Sequence, residues 1–192
     1  MPLPTRFATA SGYCTKTHTD IKLIKTTQMT IKELKTPHYN KVNPFVIIKG
    51  GAAKFIDFVE KVFDAEENKQ VRTPDRDGTL IHAEIQIGNS MILLADSKDD
   101  WPFTPAFLQV YVDNAQQILD RAKAEKAEIV TELSDFYNGL KLARLKDPFG
   151  NIWWLYEKVD NKVSVNKSDT DWHNSKPSEI YTTLMKAMKN LK

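Results

Sequence analysis

A chain of 192 residues, 41% of them hydrophobic, is long enough for one or two domains with a substantial core. Its 27 basic and 25 acidic residues leave a formal charge of +2 and are interspersed along the chain, so nothing in the charge pattern asks for nucleic acid. A single cysteine, Cys14, excludes a disulfide framework and a thiolate metal knuckle, and no apolar run reaches the roughly 18 residues of a membrane span; a cytoplasmic protein with no membrane partner is expected.

Residues 1–42 read as a flexible extension, rich in threonine, with no acidic residue before Asp20. Their early part, 1–28, has the Ser/Thr-rich, acid-poor texture of an organellar presequence, with Arg6, Lys16, Lys22 and Lys25 as cations. Arginine is scarce there and no apolar face repeats, so a disordered extension is the favoured reading, with Met29 offering a later start.

The texture changes at Asn43. Pro44 to Lys49 reads as a strand, Gly50-Gly51 breaks it, and Ala52, Phe55, Ile56, Val59, Val62 and Phe63 recur at helical spacing. Three strands follow, at about 66–73, 79–87 and 90–95, joined by Thr73-Pro74-Asp75-Arg76-Asp77-Gly78 and by Gly88-Asn89. Asp75 and Asp77 lack the remaining ligands of a calcium loop and are read as turn residues. After a proline-bearing connector from Asp96 to Pro105 the same order returns: a strand over 106–112, a helix marked by Ala115, Ile118, Leu119 and Ala122, and strands near 127–132, 139–146 and 151–157. The fold class is therefore α+β, with two βαβββ modules, 43–95 and 106–158, forming a curved mixed sheet around a cavity. Residues 159–192 are a linker and a C-terminal amphipathic helix carrying Ile180, Tyr181, Leu184, Met185, Met188 and Leu191, capped by Ser178.

Alternation assigns side chains to faces. Ile81, Ala83, Ile85 and Ile87 should pack on the helix, which leaves His82, Glu84 and Gln86 on the opposite face. In the same way Phe107, Gln109 and Tyr111 oppose Leu108, Val110 and Val112, while Ile152, Trp154 and Tyr156 oppose the core residues Trp153 and Leu155. A face mixing aromatic rings with amides and one carboxylate suits a small-molecule cavity. Trp101-Pro102-Phe103 and Phe136-Tyr137-Asn138 are read either as flaps over its opening or as packed loop aromatics. Arg144 and Lys146 are placed on a solvated strand edge, with attraction of an anionic ligand as the alternative.

The duplicated order, the helix end Phe58-Val59-Glu60-Lys61-Val62-Phe63, the strand end Tyr111-Val112-Asp113-Asn114 and the turn Asp147-Pro148-Phe149-Gly150-Asn151 together resemble the glyoxalase/bleomycin-resistance/extradiol-dioxygenase (vicinal oxygen chelate) superfamily. His82-Ala83-Glu84 with Ile87-Gly88-Asn89-Ser90 is most similar to its PhnB-like branch. The resemblance covers residues 43–158 and implies a homodimer. It also implies that metal-dependent members hold a divalent cation at four positions, which fall here on Asn43, Glu84, Phe107 and Trp154. Two of these are aromatic, so no metal and no other cofactor is expected.

Two functional readings follow. In the first, the chain is a metal-free small-molecule-binding protein whose ligand meets Asn43, Phe45, His82, Glu84, Gln86, Phe107, Gln109, Tyr111, Trp154 and Tyr156. In the second, it is a glyoxalase-like lyase or isomerase with Glu84 and His82 as catalytic groups. There Glu84 acts as a base whose pKa is raised by its aromatic surroundings, or as part of an atypical metal site.

Overall fold

The computed structural model describes residues 39–159 and 177–191; the expectations for the first 38 residues and for the linker at 160–176 lie outside the described residues. The first module runs β1 (Phe45–Ile48), α1 (Ala52–Phe63), β2 (Glu66–Glu67), β3 (Thr73–Pro74), β4 (Leu80–Ile87) and β5 (Ser90–Asp96). The second runs β6 (Phe107–Val112), α2 (Ala115–Ala124), β7 (Glu128–Phe136), β8 (Leu140–Lys146) and β9 (Ile152–Lys158), and α3 (Glu179–Lys189) follows. One sheet has the order β1-β5-β4-β2 with β3 also on β4, and the other has β6-β9-β8-β7. In each module the first strand lies parallel to the last, β1 on β5 and β6 on β9, and the helix carries the chain from the first strand to the far edge of the sheet, from β1 to β2 and from β6 to β7. The α+β duplication expected from sequence is present, as two separate sheets rather than one closed sheet.

Each helix starts where a carboxylate from its own last strand meets it. Gly50 and Gly51 turn the chain at φ 100° and 119°, and Asp96 at the end of β5 then accepts from the Ala52 amide at 2.6 Å and from the Leu80 amide at 2.7 Å. In the second module Glu157 in β9 accepts from the Ala115 amide at 2.7 Å, while the Asn114 side chain caps Gln117 at 2.9 Å. The two modules thus share a lock at equivalent places, an anion on the positive end of the helix dipole.

The core lies between the helices and one face of each sheet. Phe55, Ile56, Val59 and Val62 of α1 and Ile118, Leu119 and Ala122 of α2 meet Val46, Ala83, Ile85, Leu94, Leu145, Trp153 and Leu155. Trp153 is fully buried, with ring centroids 4.5 Å from Phe63 and 6.2 Å from Phe55; burial of each such side chain stabilises by roughly 1.5–3 kcal/mol.

Three expectations need correction. The strand at 66–73 is two short pieces, because Lys69 and Val71 donate back to Glu67 and Asn68 and turn the chain between them. Strand β7 continues to Phe136, carried past polar Ser134 and Asp135 by pairing with Leu142 and Lys141 through register shifts. Ile81 is 47% exposed instead of packed on α1, and buried Leu80 takes the inward place. A register shift between Thr73 and Pro74 lies opposite that point, so strict alternation does not reach the start of β4. The aspartate loop is a turn, as read: Asp77 accepts from the Thr79 amide and hydroxyl, and the Lys98 ammonium stands 2.8 Å from Asp75. No helix among the described residues is long and apolar enough to cross a membrane.

Candidate functional site

The geometry of the second module is set by the turn between β8 and β9. Buried Asp147 accepts four hydrogen bonds at 2.9 Å: Phe149 and Asn151 amides on one oxygen, and Asn151 Nδ2 and Trp153 Nε1 on the other. Asn151 Oδ1 in turn accepts from the Ala106 amide at 2.9 Å, which fixes the start of β6 against β9. Burial pushes the Asp147 carboxyl above its ordinary pKa, against the pull of these four donors. Gly150 has φ +90°, and a Cβ there would lie 2.5 Å from Phe103 Cζ, so the connector's Phe103 packs on the turn and is not a flap. With this turn locked and Trp153 anchored in the core, the next residue, Trp154, must face the other way.

Across that other face the strand register aligns Gln109, Trp154, Arg144 and Thr131 in one row, and Tyr111, Tyr156 and Leu142 in the next. Phe107 meets Trp154 edge-on at 5.9 Å, and Tyr111 stacks on Tyr156 at 5.5 Å. Phe136 lies 5.8 Å from Tyr156 and 4.9 Å from Tyr137, which brings the second pair of loop aromatics to the same surface. Phe107 and Tyr111 are 48% and 67% exposed, and Gln109 donates to the Tyr111 hydroxyl at 3.2 Å. A cleft of about 750 Å³ runs along the edge of β6, lined by Phe107, Gln109 and Tyr111 from one face of the strand, by Leu108, Val110 and Val112 with Trp153 from the other, and by the β4–β5 turn; Trp154, Tyr156 and Arg144 do not line it.

The far side of this face is occupied. Helix α3 packs there, its Thr183 hydroxyl 2.8 Å from that of Thr131 and its Ile180 carbonyl accepting from Arg144 Nη1 at 2.7 Å. The Ser178 cap is as expected, with its hydroxyl accepting from the Tyr181 amide. Arg144 is 5% exposed, so it is not on a solvated edge: α3 covers it, and sequence periodicity within β8 carries no sign of a cover arriving from more than 30 residues downstream. Its guanidinium stands 5.2 Å from the Trp154 ring, and burial lowers its pKa while leaving it a cation. Lys146, by contrast, is paired with Glu128 at 2.6 Å.

The first module holds a different cluster. Glu84, 2% exposed, accepts from the Tyr39 hydroxyl and from Asn68 Nδ2 at 3.2 Å, and its Oε1 lies 3.1 Å from His82 Nε2. Burial is the largest single influence and pushes this carboxyl up, but the hydrogen bonds from Tyr39, His82 and Asn68 together hold it below the usual carboxylate range. The expectation of a raised pKa is therefore corrected: Tyr39, His82 and Asn68 present polar hydrogen-bonding groups to Glu84 that outweigh its burial. Phe45 is half exposed, with its ring 6.3 Å from that of His82. Gln86 turns back to the Gly88 carbonyl at 2.7 Å, and Asn43 exchanges hydrogen bonds with Asn40. Sequence reasoning missed Tyr39, which precedes β1, and Asn68, which follows β2, because each reaches Glu84 from outside its own strand.

The positions where a metal would sit do not fit one. Asn43 is engaged in a local turn, Glu84 already has three partners, and Phe107 and Trp154 have no donor lone pairs. Among the described residues no group of three or more His, Cys, Asp or Glu side chains could hold an ion.

Residues 41–155 match the model of the Glyoxalase/Bleomycin resistance protein/Dioxygenase superfamily. The chain belongs to this superfamily. An uncharacterized protein of Mycobacterium bovis is 33% identical over 129 residues, covering 62% of this chain and 83% of that protein. Among solved structures, a protein from Pseudomonas aeruginosa aligns with TM-score 0.54 at 15% identity over 64% of this chain and 100% of its own. A PhnB protein from Bacillus cereus aligns more loosely, with TM-score 0.45 and 22% identity over 60% of this chain and 98% of its own.

Proposed function

We propose that this protein binds a small, flat organic molecule without a metal ion, on the aromatic face of the second module. The observation that carries the reading is the partly open aromatic face of β6 and β9, where Phe107 meets Trp154 and Tyr111 stacks on Tyr156; Phe107 and Tyr111 also line the cleft of about 750 Å³ at the β6 edge, a size that suits a small ligand. Aromatic rings presented toward solvent on a sheet face cost solvation unless something covers them, and flat rings gain most from stacking. We also propose a homodimer. Strand β6 is a sheet edge, and Tyr181, Met185 and Met188 form an exposed apolar stripe on α3, so a second copy has both an edge and a face to cover.

The test is calorimetric titration of 2-naphthamide into the wild-type protein and into Trp154→Ala, with nickel, zinc and manganese titrated separately. Binding weakened about ten-fold by the loss of stacking in Trp154→Ala supports the reading. Tight, near-stoichiometric metal binding that Glu84→Gln abolishes would overturn it. The buried Glu84 beside His82 favours a second reading, a glyoxalase-type lyase or isomerase in which this pair moves a proton.

A further inference from the structure

Among the described residues, Arg144 is a buried cation without a counter-ion. Its Nη1 donates to two neutral acceptors, the Thr131 hydroxyl at 3.2 Å and the Ile180 carbonyl at 2.7 Å. Among the described residues nothing accepts from buried Nε, and nothing accepts from Nη2 either. Among the described residues, the titratable group that acts on this guanidinium besides burial is the Tyr156 phenol, and no carboxylate does so. Native proteins rarely leave such a charge uncompensated, because removing a guanidinium from water costs several kcal/mol unless an anion or a full set of acceptors replaces the solvent.

The unused atoms are not scattered. Nε and Nη2 form one side of the planar guanidinium fork, the side that receives both oxygens of a carboxylate in parallel hydrogen bonds. The opposite side is committed to Thr131 and α3, so the arginine is held in place with its anion-receiving edge unfilled. Its neighbour across the sheet is Trp154, half-buried and 5.2 Å away, and beyond Trp154 in the same row comes exposed Gln109 on the rim of the cleft. The row grades from solvent to buried charge through an aromatic ring.

We infer that Arg144 is the anion-binding end of the ligand site, and that the molecule bound on the aromatic face is a flat organic acid whose carboxylate or similar planar oxyanion pairs with the Nε–Nη2 edge. This rests on the binding function proposed above and narrows it to a substrate class. Trp154 and Phe107 meet the ring system of the ligand while Arg144 takes its charge, so affinity comes from the first and discrimination from the second.

The experiment compares 2-naphthoate with its neutral isostere 2-naphthamide by calorimetry, in the wild-type protein, in Arg144→Lys and in Arg144→Gln. Lysine keeps the charge and loses the fork; glutamine loses both. The acid is expected to bind wild type at least about ten-fold more tightly than the amide, since hydrogen bonds to a charged group are the stronger ones. That preference should shrink in Arg144→Lys and vanish in Arg144→Gln, and the circular-dichroism spectrum and urea midpoint of each variant report separately that it is folded. Equal binding of acid and amide by wild type, or a preference that survives in Arg144→Gln, overturns the anion site while leaving the aromatic binding face standing. Failure of both probes to bind wild type removes the proposed binding function together with this inference.

Discussion

Replacing Asp147 by asparagine changes one oxygen to an amino group without changing shape, at the point on which the β8–β9 turn depends. In the wild type four N–H donors converge on the carboxylate. The asparagine carbonyl can still serve the Phe149 and Asn151 amides, but its NH2 then points at Asn151 Nδ2 and Trp153 Nε1. Two buried donors are left unpaired at about 1–3 kcal/mol each, so Asp147→Asn should destabilise the fold by about 2–6 kcal/mol. For a domain of this size that corresponds to a fall in Tm of about 4–24 °C. Urea unfolding followed by circular dichroism measures it, and a double-mutant cycle with Trp153→Phe, which deletes the indole donor, should return a coupling of about 1–3 kcal/mol. A loss below about 1 kcal/mol would refute the reasoning. It would mean that the carboxyl is already protonated at neutral pH, as burial alone favours, so that asparagine merely replaces one neutral group by another. The larger loss is expected because every neighbour of Asp147 is a donor, which leaves a proton on it nothing to bond to.

Other outcomes follow from the same geometry. Gly150→Ala should cost about 1–3 kcal/mol from the positive φ alone, and more from the approach of Phe103, measured by the same unfolding assay; a neutral effect would show that the turn is not held as described. The folded-state pKa of Glu84 lies below its unfolded value, so its contribution to stability is present above the unfolded pKa and is lost as pH falls through the folded one. Glu84→Gln should therefore flatten the acid limb of the stability profile, and an unchanged limb would exclude the three-donor account. Light scattering after size exclusion should report a dimer, and Tyr111→Asp on the exposed face of β6 should shift it toward monomer.

Much of the fold was legible from local pattern. Gly50-Gly51, the helical spacing from Ala52 to Phe63 and the Asp147–Asn151 turn each act within a few residues, and each produces the element it announces. The period of two in β9 likewise places Trp153 inward and Trp154 outward, because a strand allows nothing else. Local pattern failed where a partner from elsewhere decided the outcome. Ile81 is exposed because of a shift in the strand opposite it, and Glu84 is held as an anion by Tyr39 and Asn68, neither of which its own strand reveals.

Sequence by itself determined the duplicated βαβββ plan and the superfamily, since side-chain identity and short-range spacing decide both. Tertiary structure alone decided what Arg144 is. Its own strand presents it as one more surface cation, and it becomes a buried, half-satisfied charge because α3 packs over the row that holds Trp154 and takes one side of its guanidinium. Burial and charge compensation depend on what the whole chain brings to a point in space, and no window of sequence contains that.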